Sequence, residues 1–354
     1  MGNFAERIYA WYALNKRVLP WRETSDPYRI WISEIILQQT RVAQGIAYFD
    51  RFIEKFPTIS ELASAPEDEV LKLWQGLGYY SRARNLHFTA KYIQLYNNGV
   101  FPSDFESIIK LKGIGEYTAS AIASISFKLP HAVVDGNVFR VLARYFGIED
   151  PIDNNEGKKL FHKLAAELII GRDPAIHNQA MMEFGALQCI PGNPDCDRCP
   201  VGSSCSAFFN GMVDKLPVKR NKTKVRDRYF NYFVIFTNDL VFMNKRTSND
   251  IWKNLYEFPL IETIKDEPIE KMLGKEVVSK LGEFETIEIG EITEWKIHLL
   301  SHQRIFFRFF VFHDVDEKKI SSDLIKVNKK DIFNFAVPKL VENFINNSKF
   351  LGAD

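Results

Sequence analysis

The chain has 354 residues, 46% hydrophobic and 26% charged, a length that predicts about two domains of roughly 150 residues and a composition that excludes a disordered or fibrous protein. Net charge is +1, with +3 over residues 1–225 and −2 beyond, so charge announces no nucleic-acid partner and any basic surface must be local. No apolar run approaches the ~18 residues of a membrane span, and Met1–Arg7 lacks the apolar stretch of a secretory signal; the expectation is a soluble cytoplasmic protein with no membrane partner.

Residues 1 to about 205 read as helix after helix. Ile30, Trp31, Ile35 and Leu37, then Ile46, Phe49, Phe52 and Ile53, recur at helical spacing. Pro57, Pro66, Gly76, Gly78, Gly99, Gly136 and Gly147 punctuate the segments. Glu34 sits among Ile30, Trp31, Leu37 and Gln38 at three and four residues' distance. On that face a carboxyl is desolvated and holds its proton near neutrality, as a general acid requires. The plainer alternative is a buried glutamate paired with Arg22 or Arg41.

Leu111-Lys-Gly-Ile-Gly115 lies between the helical patterns 105–110 and 117–127. Such a hairpin frees the amides of the next helix's first turn, and those donors with the helix dipole suit a phosphate oxygen; a plain glycine-capped turn explains it equally. Asp135 precedes Gly-Asn, a common setting for a helix N-cap. It is also a candidate carboxylate kept ionised by polar partners such as Asn137. One acid and one carboxylate in different environments is an arrangement that cleaves glycosidic bonds.

All four cysteines fall within seventeen residues: Cys189, Cys196, Cys199 and Cys205. Four thiolates in one loop suit a metal centre. The spacing favours an iron–sulfur cluster over zinc, since only Cys196 and Cys199 form a close pair, and the expected reducing compartment disfavours disulfides. Residues 216–228 carry six basic residues and one acid without hydrophobic period and read as a linker. Beyond it, 229–236, 240–243 and 304–312 read as buried strands, with a helix-like segment at 268–281. The fold class is therefore multidomain, with an all-α half (1–215) followed by an α+β half (229–354).

Taken in order, Trp31-Ile-Ser-Glu-Ile, Gly76-Leu-Gly-Tyr-Tyr-Ser-Arg-Ala-Arg-Asn-Leu, the 111–115 hairpin, Val134-Asp-Gly-Asn-Val and the cysteine loop resemble the helix–hairpin–helix DNA glycosylases. Within them the sequence is similar to the MutY family, over nearly the whole chain. That resemblance implies a helical glycosylase domain with a [4Fe–4S] cluster on the four cysteines, followed by a Nudix-like domain. It implies a nucleoid-associated enzyme that excises adenine opposite 8-oxoguanine or guanine in double-stranded DNA; nothing in the sequence suggests more than a monomer. It further implies Glu34 as general acid, Asp135 as stabiliser of the oxocarbenium-like sugar, and Tyr117 and Asn137 positioning that chemistry. Arg22 and Gln179 would contact the flipped base, with Trp21 and Leu37 as pocket walls. Gln39 and Tyr79 would wedge the duplex. Gly113, Ile114 and Gly115 would hold a phosphate, with a bound cation at that contact. His298, Ser301 and His302 would read 8-oxoguanine, although Leu300 stands where the family's loop commonly has Phe. No Nudix catalytic box occurs in the second half, and Trp252–Pro259 reads as fold structure without a role at the site. The bifunctional relatives, such as endonuclease III, place a nucleophilic Lys after the hairpin where this chain has Tyr117. An endonuclease III-like lyase for oxidised pyrimidines is thus the first rival, and a catalytically inert DNA-binding or redox module the second.

Overall fold

In a computed structural model of the protein, the residues described are 2–220, 225–272, 281–282, 289–349 and 351. The chain forms two compact units, one made of residues 1–64 and 85–221 and the other of 65–84 and 222–354. Among the described residues no helix is long and apolar enough to cross a membrane.

The first unit is helical. Its central helices, α2 (Pro27–Leu37) and α8 (Glu116–Phe127), pack against each other. Pro27 opens α2 and the Asp26 carboxylate caps it through Tyr28 N at 3.0 Å. The residues from Ile30 to Ile36 are all buried, as expected of a helix apolar around its circumference; Glu34 is carried inside with them. α9 (Gly136–Phe146) starts at Asp135 and ends at Gly147, whose φ of 67° is left-handed. α11 (Pro174–Leu187) lies against α9 closely enough that a Cβ on Gly185 would fall 2.9 Å from Asn137 O. That approach sets the start of α9 beside α11, and the candidate site lies there.

The second unit is built on a mixed sheet in which β1 (Arg226–Thr237) and β7 (Gln303–Phe312) pair in parallel from Arg226↔Gln303 to Ile235↔Phe312. β2 (Leu240–Lys245), β3 (Tyr256–Glu257) and β8 (Ile325–Asn328) extend the β1 side. β4 (Leu260–Thr263) pairs with β1, and β5 (Glu291–Ile292) and β6 (Lys296–Leu299) pair with β7. Phe233, Ile235, Phe242, Phe310 and Phe312 form the core of one face. On the other, Phe309 stacks on Tyr232 and on Phe344 of the helix Lys339–Asn347. β1 begins at Arg226, inside the segment read as linker: its ladder with β7 starts at Arg226↔Gln303, and buried Arg228 pairs with Asp250 and Glu262 at 2.6 Å. Of the helix read at 268–281, Ile269–Met272 is helical and 273–280 lies outside the described residues.

Residues 65–84 join the second unit through specific bonds. Asp68, on the helix Glu67–Leu73, accepts from Lys245 Nζ and Tyr256 Oη, each at 2.7 Å. Lys72 Nζ donates to Phe335 O at 3.1 Å.

Candidate active site

A cavity of about 240 Å³ opens in the first unit. Its lining includes Glu34 from α2, Tyr117 from α8, Asp135 and Asn137 at the start of α9, and Gln179, Met182 and Glu183 from α11. Trp21, Arg22 and Leu37 also form part of the wall. The eight residues singled out for catalysis and base contact thus line one space, although the outermost, Trp21 and Gln179, lie 158 residues apart in sequence.

Glu34 is 6% exposed, and its Oε2 has no hydrogen-bond partner among the described residues. Burial pushes its carboxyl up to about 7; the Tyr117 hydroxyl pulls it down, the Asp135 charge pushes it further up and Arg22 opposes that. Tyr117 is raised well above an ordinary phenol, first by burial and then by the two carboxyl groups, so it stays neutral. Its hydroxyl lies 3.7 Å from Met182 Sδ.

Asp135 is both a cap and a cavity residue. Oδ1 accepts from Asn137 N at 2.9 Å and Val138 N at 2.8 Å, and Oδ2 accepts from Asn137 Nδ2 at 2.8 Å. Burial lifts its carboxyl above the ordinary carboxylate value, opposed by the Val138 and Asn137 donors and the Arg140 charge. These three hydrogen bonds favour the charged form, and Glu34 Oε2 has none. Of the two carboxyl groups, Glu34 is therefore the one that keeps a proton at neutrality. Arg140 completes the support, donating to Asn137 Oδ1 at 2.8 Å and fixing which way that amide points.

Because the folded value of Glu34, about 7, lies above the ordinary 4.5, the contribution it makes to stability is complete below the ordinary value and is lost as pH rises through about 7. Glu34→Gln, which cannot ionise, should be more stable than the parent at about pH 8.5. Thermal melts at several pH values should show an excess of ~2–4 °C per kcal/mol relieved, vanishing at acid pH.

Arg22 does not pair with Glu34. Its Nη1 and Nη2 each lie 2.8 Å from Glu183, while Arg17 Nε and backbone N hold the same carboxylate at 2.9 and 2.8 Å. Burial alone would raise Glu183, but the Arg22 and Arg17 hydrogen bonds overrule it and hold the carboxyl at about 2. Glu183 and Arg17 are the site residues that sequence reasoning missed; no local pattern links partners 161 and 166 residues apart. Gln179 Oε1 accepts from Tyr12 Oη at 2.8 Å, so its NH₂ group is what remains for the cavity.

In the hairpin, Gly113 has φ +83°, and a Cβ there would meet Asn85 Cβ at 2.6 Å, so no other residue fits. Ile114 is buried and its amide bonds Leu111 O at 3.1 Å. The first helical acceptor is Gly115 O, which takes Ala119 N at 2.9 Å; the amides ahead of it have no helical partner, and the space beside Gly115 is open. Gln39 (φ 58°) and Tyr79 (φ 46°) both adopt left-handed backbone with the side chain exposed. Such strain persists only where the surroundings impose it. In the second unit His298 lies on β6, its imidazole held neutral by burial. Ser301 Oγ and His302 Nδ1 are 3.0 Å apart in the following turn.

The four cysteine side chains line one small cavity with Arg144 and Val141. Buried Arg144 approaches Cys189 Sγ at 3.5 Å and spends its other donors on the carbonyls of Ile190, Pro191 and Leu216. Arg140 donates to Cys189 O at 2.7 Å. Buried Arg144, which makes no ion pair with a carboxylate among the described residues, is set against four thiols and fits a group that brings net negative charge. The donor set suits a soft metal centre.

Residues 32–167 match the HhH-GPD superfamily of base excision DNA repair proteins, and residues 231–347 match the NUDIX domain. An adenine DNA glycosylase of Buchnera aphidicola subsp. Baizongia pistaciae is 41% identical over 262 residues, covering 72% of this chain and 73% of that one. Among solved structures, a thermostable thymine-DNA glycosylase superposes with TM-score 0.55 and 31% identity over 58% of this chain and 95% of its own. A trapped endonuclease III–DNA covalent intermediate superposes with TM-score 0.50 at 23% identity over 59% of this chain and 95% of its own, a likeness of fold.

Proposed function

The chain belongs to the adenine DNA glycosylase family, and from that premise we propose that it hydrolyses the N-glycosidic bond of adenine lying opposite 8-oxoguanine or guanine and leaves the DNA strand intact. The observation that carries this reading is Glu34: a buried carboxyl, raised to about 7 and with a free oxygen, facing the cavity that Asp135 also lines.

The chemistry follows from what each group can do. An adenine anion is a poor leaving group, so the base must be protonated as the bond breaks. Glu34 holds that proton at neutral pH and delivers it to N7. Positive charge then develops on the sugar, and Asp135, fixed by Asn137 and the start of α9, stabilises it electrostatically before water adds. Gln179 and Arg22 orient the base, with Trp21 and Leu37 excluding water. The base reaches the cavity only by leaving the stack. Gln39 and Tyr79 fill the gap, and the Gly113–Gly115 hairpin holds the backbone. His298, Ser301 and His302 supply the hydrogen bonds that distinguish the N7–H and O8 of 8-oxoguanine from guanine.

Tyr117 occupies the position from which a lysine would attack the sugar, and it offers no amine. Borohydride should therefore trap no Schiff-base complex, and strands should break at the abasic site only after alkali. A nick without alkali would establish the lyase rival. Cys189, Cys196, Cys199 and Cys205 would hold a [4Fe–4S] cluster, which supplies an anionic, cross-linking centre to the loop. The purified protein should be brown, and Cys199→Ser should lose most of the visible absorbance; a colourless, zinc-loaded protein would refute the cluster.

A further inference from the structure

The loop Trp252-Lys253-Asn254 takes no part in the proposed reaction, yet its backbone is unusual. Trp252 has φ 59°, a left-handed value that a bulky residue adopts only under constraint, and Asn254, a residue that takes this region readily, follows at φ 66°. The loop touches two functional segments of the same unit. On one side the Trp252 ring packs against His298 on β6, centroids 5.9 Å apart, and against Phe230 of β1 at 6.1 Å. On the other, Lys253 O accepts from Arg84 Nη1 at 2.8 Å, and Asn254 Nδ2 donates to Glu67. Glu67 and Arg84 lie near the two ends of the segment that carries Tyr79, which is exposed and on left-handed backbone at φ 46°.

We propose that Trp252–Asn254 is a positioning element that couples His298 to Tyr79, so that contact with 8-oxoguanine and insertion of the wedge act as one event. This rests on the proposed roles of His298 and Tyr79. Neither Arg84 nor Asn254 need touch DNA for the coupling to operate. A lesion contact that holds His298 fixes the Trp252 ring. Trp252 fixes the adjoining Lys253 carbonyl, and that carbonyl anchors Arg84 five residues beyond Tyr79. Coupling energies carried by such contiguous contacts alter affinity or rate by about tenfold.

The test is Arg84→Met beside Arg84→Lys, with His298→Ala and the His298→Ala/Arg84→Met double variant, using the full chain. Two readouts are taken. The first is single-turnover release of adenine opposite 8-oxoguanine and opposite guanine. The second, independent of chemistry, is the fluorescence of 2-aminopurine placed next to the lesion, which rises when the wedge unstacks it. Arg84→Met should lose about tenfold of the 8-oxoguanine-over-guanine rate ratio and most of the lesion-dependent fluorescence rise. It should leave release opposite guanine near the parent value. Arg84→Lys should recover part of both, and the double variant should lose no more than His298→Ala alone. Equal loss on both duplexes, no loss on either, or multiplying losses in the double variant would overturn the coupling. Failure of the parent to release adenine would instead refute the proposed function, and the fluorescence arm would still decide whether Arg84 and His298 act together.

Discussion

Glu34→Gln should lower single-turnover adenine release by about a thousandfold, within the range that general acid catalysis commonly contributes, while binding of the duplex stays near that of the parent. The substitution keeps shape and volume in a site that is 6% exposed, so little packing is lost. Glu34 Oε2 has no hydrogen-bond partner among the described residues, and the amide replacing it breaks no existing bond. What disappears is the transferable proton. Chemical quench on a duplex with adenine opposite 8-oxoguanine, alongside titration of labelled duplex, reads both quantities. Unchanged turnover would remove Glu34 from the mechanism.

Asp135→Asn should cost about a hundredfold or more in the same rate, the usual consequence of removing a preorganised electrostatic stabiliser. Its stability should fall by ~1–3 kcal/mol: Asn is as good an N-cap as Asp, so the loss comes from a buried donor left without an acceptor. The variant opposes two NH₂ groups. Asn137 Nδ2 donates to Asp135 Oδ2, and Asn137 cannot readily turn because its Oδ1 is held by Arg140. Asp135→Ala separates the two roles, since it loses charge and cap together and should melt lower than Asp135→Asn while matching its rate loss. If the Asn variant turned over normally and only the Ala variant failed, Asp135 would be a cap and nothing more.

The parts of this site that were legible in the sequence are those with a local signature. The apolar ring around Glu34, the Asp-Gly-Asn start of α9 and the clustered cysteines each announce themselves within a few residues. For Asp135 the two readings weighed from sequence prove compatible, since the same carboxylate caps α9 and faces the cavity. The Glu183 clamp on Arg17 and Arg22 was not legible, because an ion pair across 161 or more residues follows from the packing of α11 and from no spacing rule. Nor was the attachment of residues 65–84 to the second unit, which rests on side chains such as Asp68 meeting Lys245 and Tyr256. Left-handed backbone at Trp252 likewise leaves no mark in residue type.

The pH dependence of kcat/KM for adenine release tests the acid most directly, since it reports ionisation in the free enzyme. The wild-type protein should hold a plateau on the acid side of the Glu34 value, about 7, and then fall about tenfold per pH unit as the proton is lost. Glu34→Gln should show only a low, flat residue of activity. A wild-type rate that stays level or climbs from about pH 6 to about pH 8.5 would contradict a neutral Glu34 as the group that releases the base.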